Sequence, residues 1–316
     1  METNRAPNIT KDGIPLFSGD TYWGKLSKKD MQEAIEVIDT FGWNEFNKRY
    51  EGKFDFSYNE DYADWHFNVP INKNSVILDV GAGMGRSSIP LARISKKVVA
   101  FDQSLDRMKF LKRRAEEEKL ENISVFVGDL FNLPLANESF DVVVMNGILE
   151  WVGKNHDYKN PRDAQLKALA ICKDLLKPGG CLYVGIENRF ALSYLKGIDH
   201  SGLRFTSYIP RFLANLYMKF RGKGSYDTYT YTKKGLVSLF KTAGFSGVET
   251  YLPYPGYNLP RIIIPYDNLS ILQYVIQNMM SQKNLTRKFV KFLSRSRLLV
   301  KIYRSLFFSF NIIAQK

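Results

Sequence analysis

The sequence has few of the residues from which disulfide and metal sites are built. Its 316 residues include two cysteines, Cys172 and Cys181, both in apolar stretches, and three histidines, His66, His156 and His200. This scarcity excludes a disulfide scaffold and a cysteine-rich zinc site, and it fits a reducing compartment. We therefore expect no metal centre.

Long apolar runs are also missing. The first residues, METNRAPNITKDG, are polar and lack the apolar core of a signal peptide. No uncharged apolar stretch reaches the roughly 18 residues that a spanning helix needs. These absences predict a cytoplasmic protein without a membrane-spanning helix.

Positive charge is abundant but confined to two segments. The chain has 45 Lys and Arg against 32 Asp and Glu, a net charge of +13. Residues 281–316 hold nine basic and no acidic residues, residues 189–234 hold nine basic and two acidic, and the remainder is slightly negative. This distribution indicates an anionic acceptor or an anionic membrane surface and only weakly a nucleic acid, so we expect no nucleic-acid partner.

Residues 75–187 alternate short β-branched runs with helical patterns, which is typical of a parallel sheet built from βαβ units. Two further strand-like runs follow, so the sequence predicts a doubly wound, seven-stranded Rossmann-like α/β sheet. The predicted strands are 75–81, 97–102, 123–127, 140–146, 181–187, 247–252 and 261–265, and the predicted helices are 86–94, 105–119, 162–176 and 232–242.

The first predicted strand runs directly into a glycine-rich turn, Gly81-Ala82-Gly83-Met84-Gly85. Glycines allow a sharp turn and let a ligand approach the bare backbone amides. The spacing is G-x-G-x-G and not the G-x-G-x-x-G of dinucleotide sites. No Gly-Lys-Ser/Thr follows, which excludes a P-loop.

Acidic residues stand at the ends of three successive strands. Asp79 precedes the first glycine, Asp102 ends the second strand, and Asp129 with Leu130 follows the third. Asp102 can accept both hydrogen bonds of a ribose diol, and Asp129 can reach an adenine amino group with Leu130 against the ring. Because a plain structural turn would not require these acids, the pattern predicts a nucleoside ligand.

With FDVVVMNGILEW at 140–151 and LLKPGGCLYV at 175–184, these residues make the sequence resemble the class I S-adenosylmethionine-dependent methyltransferases of the type 11 kind. The resemblance covers residues 70–190 closely and extends to 232–265. It implies the strand order 3-2-1-4-5-7-6 and S-adenosyl-L-methionine as cofactor. The implied cofactor-binding residues are Asp79, Gly81, Ala82, Gly83, Gly85, Asp102, Gln103, Asp129, Leu130 and Asn146.

Three parts of the chain are distinguished: a helical N-terminal cover (1–70), a methyltransferase domain (71–268, with an insertion at 190–231) and a basic amphipathic helical extension (269–316). The N-terminal aromatics either cover an edge of the sheet or form a lid over the substrate. They are Trp23, Trp43, Phe46, Tyr50, Tyr58, Tyr62 and Trp65.

In the extension, apolar residues recur at helical spacing. The helix would either pack its apolar stripe on the protein or on a second subunit, or lie through residues 281–316 on an anionic membrane. The recurring residues are Leu285, Phe289, Phe292, Leu299, Tyr303, Leu306, Phe310 and Ile313.

The acceptor is less well defined. The chain lacks the Asn/Asp-Pro-Pro-aromatic motif of amino-methylating relatives after the fourth strand, which argues against methylation of exocyclic nitrogens. The insertion resembles methyltransferases associated with bacterial cell-surface polysaccharide and glycolipid assembly, and this resemblance implies O-methylation of a sugar or glycolipid. Alternatives are a lipid, quinone or other small-molecule acceptor, an RNA acceptor, and a cofactor-binding subunit without activity.

His200, in the insertion, is the candidate general base, with Glu187 to orient it or to act in its place. His200 could instead hydrogen-bond Asp199 or the loop backbone, and Glu187 to Arg189 could form a salt-bridged rim. The expected substrate-binding residues are Glu150, Asn188, Arg189, Arg204 and Tyr229. The oligomeric state is left open.

Overall fold

The computed structural model describes residues 7–22, 26–54, 59–152, 154, 158, 160–280, 288, 290–292 and 294–316. The chain divides into two compact units. The first comprises residues 1–145, 171–182 and 316, and the second comprises 146–170 and 183–315. Among the described residues, no helix has both the length and the apolarity needed to cross a membrane.

Among the described residues of the N-terminal part of the chain, up to the end of the fourth predicted strand, there are six strands and three α-helices. In chain order they are β1 Asn8–Ile9, β2 Pro15–Leu16, α1 Lys28–Arg49, a 3-10 helix Glu60–Asn68, β3 Val76–Val80, α2 Ser88–Ile94, β4 Lys97–Asp102, α3 Leu105–Glu117, β5 Ile123–Val127 and β6 Phe140–Asn146. The predicted strands and helices of this region are confirmed, with ends shifted by at most two residues.

In the rest of the chain, six α-helices and four strands have ends that lie within the described residues, and a 3-10 turn at Leu149–Trp151 precedes them. They are α4 Pro161–Leu175, β7 Leu176–Glu187, α5 Ser193–Lys196, α6 Arg211–Phe220, α7 Lys233–Thr242, β8 Ser246–Gly256, β9 Leu259–Pro265, α8 Leu269–Asn278, α9 Arg297–Ser305 and β10 Ser309–Gln315. α4 and β7 each run through both units. Thr232 caps α7 by accepting a hydrogen bond from the Gly235 amide, as predicted.

In the first unit the strands follow the order β1-β2-β5-β4-β3-β6. β3 pairs in parallel with β4 and β6, and β4 with β5. Residues 77–80 of β3 are all buried, as expected of a parallel strand covered on both faces. The short strand β2 pairs with β5 at Leu16 and Val127, an addition that the sequence did not predict.

The N-terminal aromatics of α1 pack on the first unit. Trp43 and Phe46 lie 5.5 and 5.7 Å from the ring of Phe110 on α3, and Phe54 is part of the same cluster. A capping box between Ser27 and Asp30 starts α1. These contacts support the interpretation that the aromatics cover the sheet and not the alternative that they form a lid over the substrate. Trp23 and Tyr58 lie outside the described residues.

In the second unit the order is β7-β10-β8-β9, with β8 antiparallel to both β10 and β9. The order β5-β4-β3-β6-β7 agrees with the prediction for the first five strands. The prediction for the last two is wrong, because β10 occupies the position beside β7 and the strand predicted to lie there, β9, pairs outside β8.

The helical prediction for the end of the chain is also wrong. Phe310 and Ile313 are three residues apart, as on a helix face, but all residues of β10 from Ser309 to Ala314 are buried. Burial of every residue over a segment of this length fits a strand covered on both faces better than an amphipathic helix. Within the extension, α8 and α9 have the expected helical form, and Val300 and Tyr303 of α9 are buried. Leu285 and Phe289 lie outside the described residues.

Candidate functional site

The glycine turn after β3 has the backbone conformation that requires glycine. Gly81, Gly83 and Gly85 have φ angles of 66°, 56° and 86°. A Cβ atom on Gly85 would lie 2.3 Å from Cδ1 of Leu111, so packing against α3 also requires glycine there. A Cβ atom on Gly83 would meet no atom within 4 Å. The turn is therefore packed on one side and open at Gly83, where a ligand can approach.

Asp102 is tied to this turn. Its Oδ2 accepts a hydrogen bond from the Gly83 amide at 3.1 Å, and its Oδ1 accepts one from the Ser104 amide at 3.0 Å. The Arg107 guanidinium lies 3.6 Å away. Each carboxylate oxygen can accept a further hydrogen bond, so Asp102 is held in place and can still bind a ribose diol.

Asp79 lies buried at the end of β3. Its carboxylate accepts a hydrogen bond from the Ser88 hydroxyl at 2.6 Å, which links the strand to the first turn of α2. Burial, reinforced by the charge of Asp102, raises the pKa of Asp79 to about 7. A contact between Asp79 and the cofactor stays a prediction.

Asp129, Leu130 and Gln103 lie after the neighbouring strands of the same unit. The Asp129 carboxylate accepts a hydrogen bond from the Phe131 amide at 2.9 Å, and Leu130 is buried. The Gln103 carbonyl accepts a hydrogen bond from the Thr21 amide at 2.9 Å. The N-terminal segment therefore contacts the end of β4, a contact that the sequence did not reveal.

Sequence reasoning also missed Arg114. This buried residue donates a hydrogen bond to the carbonyl of Met84, inside the glycine turn, at 3.0 Å, and it lies 3.5 Å from Glu60. The sequence feature that could have identified Arg114 is its position four residues after Phe110, on the apolar face of α3. A charged residue on a core face commonly serves a buried polar group.

In the second unit, Asn146 packs against a position that must be glycine. A Cβ atom on Gly185 would lie 2.0 Å from Asn146 Oδ1, and the Gly147 amide donates to the Gly185 carbonyl at 2.8 Å. The bare backbone of β7 therefore makes room for the Asn146 side chain. Its role in cofactor binding stays a prediction.

Glu150, Glu187 and His200 form an acid–histidine cluster in the second unit. Nε2 of His200 lies 2.9 Å from Oε2 of Glu187, and one atom from each of the three side chains lies within 4.8 Å of the others. The Tyr257 hydroxyl donates to Oε1 of Glu187 at 2.9 Å. The structure thus brings together His200 and Glu187, the two predicted catalytic residues, with the predicted substrate residue Glu150.

Burial and charge oppose each other in this cluster. Burial alone would lower the pKa of His200, but the hydrogen bond and charge of Glu187 outweigh it and raise this pKa above its ordinary value. Burial would raise the pKa of Glu187, yet His200 holds it below its ordinary value. The fully buried Glu150 has a pKa well above its ordinary value, because of burial and the neighbouring Glu187 charge. Glu187 is therefore ionised near neutral pH, while burial and the Glu187 charge favour the protonated form of Glu150.

The same three side chains are close enough to share a cation, in the part of the chain that the structure describes. Nε2 of His200 and Oε2 of Glu187 are already paired with each other, and the raised pKa of Glu150 favours its protonated form, which binds a cation poorly. We therefore interpret the cluster as a group that holds and moves a proton.

Gln165 on α4 holds the turn that carries Glu150. Its amide nitrogen donates to the carbonyls of Leu149 and Tyr229, both at 2.9 Å, and its oxygen accepts from the Tyr231 hydroxyl at 2.6 Å. Gln165 is fully buried. The sequence signal for it was weak, since a lone glutamine in an amphipathic helix is normally exposed.

Two predicted substrate residues hydrogen-bond to backbone carbonyls of the second unit. Asn188 is fully buried and donates to the carbonyls of Ser305 and Phe307, both at 2.8 Å. Arg189 donates to the carbonyls of Ser207 and Ile209 at 2.7 and 2.8 Å. Both side chains thus supply donors to backbone carbonyls, and their substrate contacts stay predictions.

The other two predicted substrate residues are Tyr229 and Arg204. The ring of Tyr229 lies 3.8 Å from the guanidinium of Arg211, and Arg204 is exposed. Their substrate contacts stay predictions.

Comparison with known proteins identifies the family of the central segment. Residues 78–184 match a protein family described as a methyltransferase domain. This segment is a class I methyltransferase domain. Its cofactor is S-adenosyl-L-methionine, and the open position at Gly83 with the free lone pairs of Asp102 suits the nucleoside of that group.

Relatives of this methyltransferase domain have several different acceptors in their names. A demethylmenaquinone methyltransferase of Renibacterium salmoninarum is 40% identical over 34% of this chain and 39% of its own length. A mitochondrial ubiquinone biosynthesis O-methyltransferase of Rattus norvegicus is 28% identical over 57% of this chain and 48% of its own. A probable ribosomal RNA small subunit methyltransferase A of Methanosphaera stadtmanae is 35% identical over 25% of this chain and 28% of its own. The chain thus spans about half or less of the length of these relatives.

Proposed function

We propose that this chain transfers a methyl group from S-adenosylmethionine to a hydroxyl oxygen of a small, largely apolar acceptor of the quinol or lipid class. The observation that carries the proposal is the partly buried pair of His200 and Glu187, 2.9 Å apart. Bound S-adenosylmethionine supplies an activated methyl group on a sulfonium. The acceptor oxygen becomes a good nucleophile when a base takes its proton.

His200 is arranged to take that proton. Because Nε2 of His200 lies 2.9 Å from Oε2 of Glu187, we place the proton of the neutral ring on Nε2, which leaves the lone pair on Nδ1. Tyr257 holds Glu187 from its other oxygen, so the carboxylate fixes both the tautomer and the orientation of the ring. Once His200 is protonated, the ionised Glu187 stabilises the imidazolium.

The surroundings of His200 favour an aromatic or lipid acceptor over a sugar. The rings of Trp151 and Tyr194 lie 4.8 and 6.3 Å from the His200 ring, both edge to face. A sugar would need several polar groups to replace its hydrogen bonds with water. Asn188 and Arg189, the residues predicted for that purpose, are engaged by backbone carbonyls. Two relatives named for menaquinone or ubiquinone biosynthesis point in the same direction.

A comparison of candidate acceptors tests this proposal. Transfer of labelled methyl groups from S-adenosylmethionine would be measured for a demethylated quinol, a polyprenyl or glycerolipid alcohol, a nucleotide sugar and RNA. We expect turnover on the quinol or the lipid alcohol. Turnover on the nucleotide sugar alone would contradict the proposal in favour of the sugar interpretation, and turnover on RNA with a steep salt dependence of binding would favour an RNA methyltransferase.

The proposed base is tested separately with His200→Ala. We expect turnover to fall by about a hundredfold or more, because the acceptor hydroxyl keeps its proton, with unchanged affinity for S-adenosylmethionine in calorimetry. His66→Ala is the matched control, since His66 belongs to the 3-10 helix of the first unit. Wild-type turnover of His200→Ala would remove the assignment. Cofactor binding without turnover on any acceptor would favour a non-catalytic subunit.

A further inference from the structure

The helix α6 in the insertion presents a large apolar face to solvent. Phe212, Leu213, Leu216 and Phe220 are 67%, 42%, 60% and 88% exposed. At about 100° per residue these four positions fall within an arc of about 100° on the helix. Single exposed apolar residues are common, but four large ones on one face of one short helix mark an interaction surface.

The opposite face of α6 is anchored. Ala214 and Met218 are buried and pack in one cluster with Leu203 and Tyr226. The Asn215 side chain accepts a hydrogen bond from the Tyr226 amide at 3.1 Å. The exposed residues are therefore presented by a helix whose other side is fixed to the second unit.

The loop before α6 is held by Asp199. Its carboxylate accepts hydrogen bonds from the amides of Ser201 and Ser207, at 2.9 and 2.7 Å, and from the Thr206 hydroxyl. This loop carries His200, and Leu203, three residues further on, packs under α6. The apolar face is thus built on the same rigid loop as the proposed base.

The ionised side chains of the segment around this face are basic. Residues 200–226 contain five arginines and lysines and no acidic residue. Lys219, Arg221 and Lys223 are exposed beside Phe220, at the end of the helix. Exposed phenylalanine and leucine bordered by basic residues are the features with which a helix lies in the interface of an anionic bilayer. A purely apolar protein partner would not require the basic border.

We propose that α6 docks this chain on an anionic membrane, with Phe212, Leu216 and Phe220 in the headgroup region and the basic residues 219–223 on lipid phosphates. This inference goes beyond the proposed function, because docking needs neither cofactor nor acceptor. If the proposed function holds, docking places the loop of His200 beside the membrane in which a quinol or lipid acceptor is dissolved.

Vesicle flotation tests the docking with the full chain. Phosphatidylcholine vesicles with and without phosphatidylglycerol would be compared, in the absence of S-adenosylmethionine and acceptor. We expect binding to the anionic vesicles that weakens as salt rises. The triple variant Phe212→Ser, Leu216→Ser, Phe220→Ser should lower the partition coefficient by about a hundredfold or more, since three large apolar groups no longer leave water.

The matched control is Leu298→Ser with Ile302→Ser, which removes two exposed apolar residues of α9 (66% and 49% exposed). We expect this variant to bind vesicles as the wild type does. Binding lost in the α9 variant and kept in the α6 variant would move the contact to α9 and overturn the proposal. So would a wild-type chain that ignores anionic vesicles but dimerises through α6 in gel filtration.

A second measurement keeps the test independent of how well the triple variant folds. Phe220→Trp places a fluorophore on the exposed face with almost no change in packing, because Phe220 is 88% exposed. We expect a blue shift on addition of anionic vesicles, and quenching by brominated lipids. No shift and no quenching would overturn the proposal. Neither result depends on methyl transfer, so failure of the proposed function would be seen separately.

Discussion

Asp79 makes the stability of the fold depend on pH in a predictable direction. Burial and the neighbouring Asp102 raise its pKa from 3.8 to about 7. Below about pH 4 both the folded and the unfolded chain keep the proton, so Asp79 has no effect on stability. Between about pH 4 and pH 7 the unfolded chain loses its proton while the folded chain keeps it. The free energy of unfolding therefore falls as pH rises through this window.

The size of the effect follows from the two pKa values. A change from 3.8 to about 7 corresponds to about 4 kcal/mol of lost stability once the pH exceeds the folded-state pKa. No discount for solvent screening applies, because Asp79 is only 3% exposed. The hydrogen bond from Ser88 already acts in the other direction and is included in this pKa.

Urea unfolding between about pH 4 and pH 8 measures this effect in the wild type and in Asp79→Asn. The asparagine cannot titrate, so we expect the difference in unfolding free energy between the two proteins to change by about 4 kcal/mol across the window. The part of this difference in unfolding free energy that does not depend on pH is uninformative, since the asparagine amide also changes the hydrogen bonding. Asp174→Asn, at an exposed position of α4, is the matched control and should keep the wild-type slope. Parallel curves for the wild type and Asp79→Asn would refute the reasoning.

Three further predictions concern the two sites. Gly85→Ala should lower the free energy of unfolding by about 2–5 kcal/mol, because its Cβ meets Leu111 at a positive φ; an unchanged urea midpoint would contradict this. Glu187→Gln should lower kcat and move the rise of kcat with pH to lower pH, because His200 loses the charge that raises its pKa; an unmoved pH profile would show that His200 is not the base. Gln165→Leu should lower kcat with little effect on the affinity for S-adenosylmethionine, because the turn that carries Glu150 loses its anchor; a wild-type kcat would leave Gln165 a purely structural role.

The arrangement of the glycine turn and Asp102 was predictable because it is local. Gly81 to Gly85 follow a strand directly, and Asp102 ends the next strand, so parallel pairing alone brings them to one edge of the sheet. The local pattern did not reveal the support that distant segments give to this turn. Arg114 on α3 and Thr21 in the N-terminal segment reach it only through packing.

The acid–histidine cluster was predictable in part. His200 and Glu187 were identified as a pair from residue type and position, and they lie 2.9 Å apart. Asn188 and Arg189 were assigned to the substrate because polar side chains after a strand often bind ligands. The sequence did not reveal that they donate to backbone carbonyls, since the requirement to satisfy buried polar groups depends on which segments fold against them.

The amino-acid sequence by itself determined the βαβ core, the glycine turn and the class of cofactor, because hydrophobic periodicity and glycine placement act over a few neighbouring residues. Only the tertiary structure decided which strand pairs with β7 and in which direction the pKa of Glu150 moves. Residues 309–315 have a spacing compatible with a helix, and only the position between β7 and β8 selects a strand. The pKa of Glu150 is raised because folding removes water and places Glu187 beside it, a property of the assembled cluster and not of the residue.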